Sequence, residues 1–156
     1  MDDNIETNAE GLAKKERAGV TDELLESLRR AKTIEEFTKQ HKKYYIIVNL
    51  NEYLDSLLEA KNLTKADVIK ASQLSRVYAY QIFSGVKNPS RDKLLALAVA
   101  MGLSFEECQR MLQIAAVNEL YVKNKRDSII IFGLMKRLDI SELNDLLYEM
   151  EEFVLQ

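Results

Sequence analysis

Helix-start and helix-stop signals follow one another at short intervals between residues 63 and 104, and they constrain the fold more than any other feature. Thr64 and Ser75 stand at N-cap positions, where a hydroxyl group accepts a hydrogen bond from the first helical turn. Gly85 and Gly102 stand where left-handed C-caps end helices. Short helices joined by tight turns bury their apolar faces by packing on one another, so this segment predicts a helical bundle.

The composition of the whole chain favours helices as well. Its 156 residues include one proline, five glycines and no tryptophan, and strand-type alternation of apolar and polar residues is nearly absent. A hydrophobic content of 47% with 30% charged residues is ordinary for a soluble globular protein. We therefore predict an all-α fold.

The distribution of apolar residues divides the chain into four parts. Residues 1–20 are polar with mixed charge and are predicted to form a disordered or frayed tail. Residues 21–48 are predicted to form a short N-terminal helical segment, and residues 49–117 a bundle of five short helices. Residues 118–156 are predicted to form a C-terminal pair of helices. We find no internal repeat of fixed period in the sequence.

The C-terminal pair can be interpreted in two ways. Its first helix is predicted near Arg126 to Arg137 and its second from Ser141 to Phe153. The run from Ile129 to Phe132 is apolar all round, which requires burial on more than one side. The pair therefore either extends the core of the monomer or forms the surface of a homodimer.

The charge of the chain limits its general affinity for nucleic acid. The formal net charge is -3, whereas residues 49–104 contain seven Lys and Arg against five Asp and Glu, giving +2. Only this middle segment is positive, and only mildly. Strong non-specific binding to nucleic acid is therefore not expected.

Residues suited to catalysis or metal binding are few. Cys108 is the only cysteine and His41 the only histidine, so neither an internal disulfide nor a multi-cysteine metal site can form. Cys108 is predicted to be a small core residue, because no histidine near it in sequence is available to activate it. We find no glycine-rich phosphate loop, paired catalytic carboxylates or triad. The sequence predicts neither an enzyme nor a bound cofactor or metal.

The sequence shows neither a secretory signal nor a membrane-spanning run. The first residues are acidic and polar, unlike a secretory signal. The longest apolar run, Ile129–Met135, is far too short to cross a bilayer. The sequence predicts a cytoplasmic protein without membrane association.

A set of residues between Asn49 and Val117 has the spacing of a known family. The set comprises Leu63-Thr64, Leu74-Ser75, Ile82, Ser84-Gly85, Asn88-Pro89-Ser90, and Leu94, Leu97, Ala98 and Met101 to Ser104. It resembles the lambda-repressor-like, Xre-type helix-turn-helix family, which packs five short helices and reads DNA with the second and third. The resemblance implies a transcriptional regulator, of bacterial or phage type, that binds double-stranded DNA in a sequence-specific way. Its third helix, at about residues 75–84, would lie in the major groove.

The resemblance also implies which residues contact DNA. The implied base contacts lie on the third helix, at Arg76, Val77, Tyr80 and Gln81. Arginine pairs well with guanine, glutamine with adenine, and an apolar side chain with the thymine methyl group. The implied phosphate contacts lie at helix ends and the following loop, at Thr64, Lys65, Ser75, Ser84, Lys87 and Arg91. A solvated surface position is the competing interpretation for Arg76, and also for Lys65, Lys87 and Arg91.

Two positions depart from the pattern of the family. Gln73 stands in the turn where the family usually has glycine, so a left-handed conformation would cost strain. Ile69 and Ala79 reverse the usual small and large residues at the crossing of the two helices, so we expect them to contact each other. Tyr78 is expected to pack inward and Tyr80 to be exposed.

A protein-interaction module is the alternative function. In that interpretation the helix-turn-helix scaffold is kept but DNA binding has been lost. The acidic balance of the chain favours it, and so do two tyrosines and Val77 on the third helix, because aromatic anchors are common at protein interfaces.

Overall fold

A computed structural model describes residues 21–45 and 48–156, and these residues form helices and turns without any strand. The predicted all-α fold is confirmed for this part of the chain. The predicted tail, residues 1–20, lies outside the described residues. The chain forms two compact units, one up to residue 46 and the other from residue 47 onwards.

Within residues 21–45, the first unit contains two α-helices and one turn of 3-10 helix: α1 over residues 21–30, α2 over Ile34–Gln40, and the 3-10 helix over Lys42–Tyr44. The Thr33 hydroxyl caps α2 by accepting a hydrogen bond from the N–H of Glu36 at 3.2 Å. A 2.8 Å hydrogen bond joins Ser27 Oγ to His41 Nε2. It ties α1 to the end of α2.

The second unit contains seven α-helices: α3 over Leu50–Ala60, α4 over Lys65–Ser72, α5 over Arg76–Phe83, α6 over Arg91–Met101, α7 over Phe105–Ile114, α8 over Lys125–Met135 and α9 over Ile140–Glu149. The predicted N-caps are present, since Thr64 accepts from Asp67 N–H at 3.2 Å and Ser75 from Tyr78 N–H at 3.5 Å. Gly102 ends α6 with a left-handed φ of 62°.

All seven helices contribute to one hydrophobic core. Its fully buried side chains include Leu54 of α3, Ile82 of α5, Leu97 of α6, Ile130 of α8 and Leu147 of α9. The C-terminal pair, α8 and α9, is therefore packed into the same core as the helices that precede it.

The prediction that the last helix reaches Phe153 is wrong. The helix α9 ends at Glu149, and Glu151 takes a left-handed φ of 59°. The chain then turns back, and Leu155 is buried beside α9.

The helices α8 and α9 repeat α6 and α7 with an offset of 35 residues. Both α7 and α9 begin with a complete capping box, formed by Ser104 with Glu107 and by Asp139 with Glu142. The two repeats run over residues 91–120 and 126–155. The expectation that the chain contains no internal repeat is therefore wrong.

In each repeat, a pair of hydrogen bonds joins the second helix to the last residue of the repeat, and this pair shows how closely the repeats match. The Gln109 amide donates to the carbonyl of Leu120 at 2.9 Å and accepts from its N–H at 2.8 Å. The Asn144 amide does the same with Leu155, at 3.1 and 2.8 Å. Just six of the 30 equivalent residue pairs are identical, so sequence comparison alone does not reveal the repeat.

Candidate nucleic-acid interface

The helix α5 is amphipathic. One of its sides packs into the core, and the other carries the candidate site. Its inward side is buried: Ala79, Ile82 and Phe83. Its other side carries the residues predicted to contact bases: Arg76, Val77, Tyr80 and Gln81. Residues spaced by one and by four positions share a side of a helix, so these four side chains form one outward surface.

The four side chains differ in how freely they reach solvent. Val77 is 69% exposed, whereas Gln81 is half-buried. The Arg76 guanidinium lies 5.8 Å from the centroid of the Tyr80 ring, within range of a cation–π interaction. Tyr78 is half-buried and Tyr80 exposed, as expected from their spacing. The surface thus presents one guanidinium, one amide and two apolar groups.

The N-termini of α4 and α5 differ as anion sites. The first N–H groups of a helix have no partner within the helix and can bind phosphate. The first turn of α4 contains Asp67, whose carboxylate repels an anion. The first turn of α5 contains no acidic residue. The start of α5, next to Ser75, is therefore the more favourable of the two.

The two predicted phosphate-binding lysines have different surroundings. Lys65 Nζ lies 3.5 Å from Asp55 Oδ1, so Lys65 must leave this carboxylate to bind phosphate. Lys87 is exposed and forms no ion pair with any residue that the structure describes. Ser84 is exposed beside it and donates its hydroxyl to the Gln81 carbonyl at 3.1 Å. Lys87 is the cation of this loop that is free for an anion.

Arg91 is bound inside the protein instead. Its Nη1 and Nη2 atoms contact the two Asp127 oxygens at 3.0 and 2.8 Å. Its Nε and Nη2 also donate to the carbonyls of Asn118 and Glu119, at 2.8 and 3.0 Å. Asp127 is buried, so moving Arg91 to a phosphate would leave an unpaired buried carboxylate. This arrangement argues against the implied phosphate contact of Arg91.

The turn between α4 and α5 is held by a contact that local sequence does not indicate. Gln73 takes the left-handed conformation expected for its position, with φ 58°. Its Nε2 donates to Ser141 Oγ of α9 at 2.9 Å. The partner lies 68 residues away in sequence, so the contact depends on the position of α9 beside this turn. Ile69 and Ala79 are both buried, on the helices α4 and α5 that pack on each other, and the direct contact between them stays a prediction.

Neither a metal site nor a reactive thiol is found in residues 21–45 and 48–156. In these ranges no group of three or more His, Cys, Asp or Glu side chains is placed to hold a metal ion. Burial raises the pKa of the Cys108 thiol to about 12, which keeps it protonated and unreactive. None of the helices in the same ranges is long and apolar enough to cross a membrane.

Comparison with known protein families gives a match for the segment that contains this surface. Residues 54–108 match the family model described as Helix-turn-helix. Neither curated proteins nor solved structures gave a match to the chain. The matched residues include α4, the Gln73 turn and α5. The resemblance to the lambda-repressor-like, Xre-type helix-turn-helix family is therefore confirmed over residues 54–108.

Proposed function

We propose that the protein is a sequence-specific regulator of transcription that binds double-stranded DNA, with α5 lying in the major groove. The observation that carries the proposal is the outward side of α5. There Arg76, Val77, Tyr80 and Gln81 point away from the core, on the helix that this family uses to read bases.

Each of these four side chains suits a particular base. The guanidinium of Arg76 can donate to O6 and N7 of guanine, and the amide of Gln81 can pair with adenine. The methyl groups of Val77 and the Tyr80 ring suit the methyl group of thymine. We expect a short recognition sequence that contains both a guanine and a thymine.

The phosphate contacts that we propose lie on both sides of this surface. The residues are Thr64, Lys65, Ser75, Ser84 and Lys87. Backbone N–H groups at the starts of α4 and α5 would bind phosphates of one DNA strand. Lys87 and Ser84 would bind the neighbouring phosphates. Few of these groups are charged, so the affinity should depend mainly on base contacts and fall moderately with salt.

Selection on random duplexes tests the proposal, followed by affinity measurements on the selected duplex at several salt concentrations. Replacing Lys87→Ala should reduce the slope of log affinity against log salt by about 0.9, because one phosphate contact is lost. The Arg76→Ala variant should lose about 1–3 kcal/mol of discrimination between bases at one base pair. Its slope of log affinity against log salt should stay nearly unchanged.

A matched control is available in the connection between α7 and α8. Lys123 is exposed there, outside the proposed surface, so Lys123→Ala removes the same charge and should leave the salt slope as it is. Failure of the wild-type protein to bind any duplex at low salt would contradict the proposal.

A protein-interaction module without DNA binding is the second candidate. It is favoured by the exposure of two apolar side chains, Val77 on α5 at 69% and Val86 in the loop after α5 at 71%. The net charge of -3 favours it as well. The same duplex selection separates the candidates, because this module would enrich no sequence.

A further inference from the structure

We propose that Ser141, at the start of α9, is a positioning residue for DNA reading, because it holds the turn from which α5 begins. This role rests on the proposed regulatory function and adds to it a residue from outside the matched domain. The family match ends at Cys108, whereas Ser141 lies on the second helix of the C-terminal pair. The C-terminal pair thereby contributes to DNA recognition through a contact within the protein.

The turn between α4 and α5 is short enough to pass a displacement on to the reading surface. The helix α4 ends at Ser72 and α5 begins at Arg76, so only residues 73–75 join them. Arg76 is also the first of the proposed base contacts. Binding sites need their side chains held to within about 0.5 Å, so the position of this turn affects how Arg76 meets a base.

Hydrogen bonds within α4 and the turn hold Gln73 only weakly. The buried Ser72 hydroxyl donates to the Ile69 carbonyl at 2.7 Å and accepts from the Leu74 N–H at 3.3 Å. The Gln73 N–H donates to the Lys70 carbonyl at 3.4 Å, which is longer than usual for such a bond. Gln73 also has a left-handed φ of 58°, which is unfavourable for a residue with a Cβ atom. A contact from elsewhere in the fold is therefore needed to hold it firmly.

The start of α9 supplies that contact from a fixed position. Asp139 and Glu142 close a capping box around the first turn of α9. Ile140, next to Ser141, is 3% exposed and belongs to the hydrophobic core. Ser141 Oγ accepts from Gln73 Nε2 at 2.9 Å, a normal hydrogen-bond length. Since the cap and the core both hold its backbone, Ser141 fixes Gln73 rather than following it.

Affinities for the selected duplex and for a scrambled duplex of equal length test the proposal on the full chain. Ser141→Ala should weaken binding to the selected duplex about threefold to fivefold, the effect of one exposed hydrogen bond, and leave binding to the scrambled duplex unchanged. Ser141 is exposed, so the variant should fold normally, and circular dichroism checks this. A residue that acted on stability alone would leave both affinities of the folded protein unchanged.

A double-mutant cycle shows whether the effect passes through Gln73. Gln73→Ala should weaken binding to the selected duplex by a similar factor, and Ser141→Ala should add nothing further in that background. Independent effects of the two substitutions would overturn the proposal.

Ser56→Ala is the matched control. Ser56 is exposed on α3, and its hydroxyl donates to the Tyr53 carbonyl of the same helix at 2.7 Å. The variant loses the same group away from the turn, so both affinities should stay at the wild-type values. Equal effects of Ser56→Ala and Ser141→Ala would overturn the proposal.

Hydrogen exchange of backbone amides, measured by NMR without DNA, tests the contact itself. In Ser141→Ala, the N–H of Gln73 should exchange about threefold to fivefold faster than in the wild type, and that of the buried Leu97 should not change. Unchanged exchange at Gln73 would overturn the proposal. A wild-type protein that binds no duplex would overturn the regulatory function and this role of Ser141 together. Wild-type discrimination between the two duplexes by Ser141→Ala would overturn this role alone.

Discussion

Arg91 and Asp127 form a bidentate ion pair between the two repeats, with nitrogen–oxygen distances of 3.0 and 2.8 Å. Arg126 and Asp92 form its counterpart at 2.9 and 2.8 Å. Each arginine lies at the start of the first helix of one repeat and binds the aspartate at the start of the other. This exchange relates α6–α7 to α8–α9 by an approximate two-fold rotation.

Breaking one of these pairs should destabilise the whole second unit. Arg91→Ala leaves the buried Asp127 carboxylate without its cation, so we expect the free energy of unfolding to fall by about 3 kcal/mol. Urea unfolding followed by circular dichroism measures it. The slope of DNA affinity against salt should not change, because Arg91 does not contact phosphate in this arrangement.

Lys65→Ala provides the comparison for that prediction. Lys65 and Asp55 form an ion pair at 3.5 Å in which both side chains are largely exposed, so its loss should cost less than about 1 kcal/mol. If both variants lose the same stability, Arg91 is not the structural residue that the geometry indicates.

Gln73 carries a conformational strain that substitution can reveal. A φ of 58° is energetically unfavourable for any residue with a Cβ atom. The Gln73→Gly variant should therefore be more stable than the Gln73→Ala variant by about 1 kcal/mol. Both variants lose the hydrogen bond to Ser141 equally. Thermal unfolding of the two proteins gives the difference directly. Equal melting temperatures would show that the turn is relaxed.

The exchanged sizes of Ile69 and Ala79 predict a compensating pair of substitutions. Ala79→Leu should overpack the crossing of α4 and α5 and cost about 1–3 kcal/mol, because Ala79 is fully buried. Adding Ile69→Ala should recover part of this loss, since the total volume is then nearly restored. A double-mutant cycle in urea measures the coupling. Simple additivity of the two losses would mean that the side chains do not share the space.

The raised pKa of Cys108 predicts a loss of stability in alkaline solution. The thiol ionises near pH 9 when exposed but at about 12 when buried, so the unfolded chain releases its proton first. The contribution to stability is complete below pH 9 and decreases as the pH rises towards 12. Urea unfolding of wild type and Cys108→Ala at increasing pH isolates this term. A parallel pH dependence of both proteins would contradict it.

Local features of this fold could be predicted from sequence. A capping hydroxyl such as Thr64 acts on an N–H three residues away, so its partner is visible in the sequence. The outward side of α5 was also predictable, because helical spacing determines which residues share a side. The left-handed Gln73 followed from its place in the resemblance.

Long-range features could not be predicted in this way. The partner of Arg91 lies 36 residues away, and nothing near Arg91 distinguishes an internal ion pair from a phosphate contact. The repeat left one local trace, the Arg-Asp dipeptides at residues 91–92 and 126–127. Most other equivalent positions differ, because a packed core requires similar volume and polarity rather than identical residues.

The two-fold exchange of ion pairs also sets how the chain can be divided. The family match ends at Cys108, within α7, but Arg91 of the matched part depends on an acceptor in α8. A fragment that stops before α8 exposes the inner side of α6 and leaves this guanidinium without its carboxylate. The shortest fragment that keeps α5 on a complete core therefore extends from α3 to Leu155.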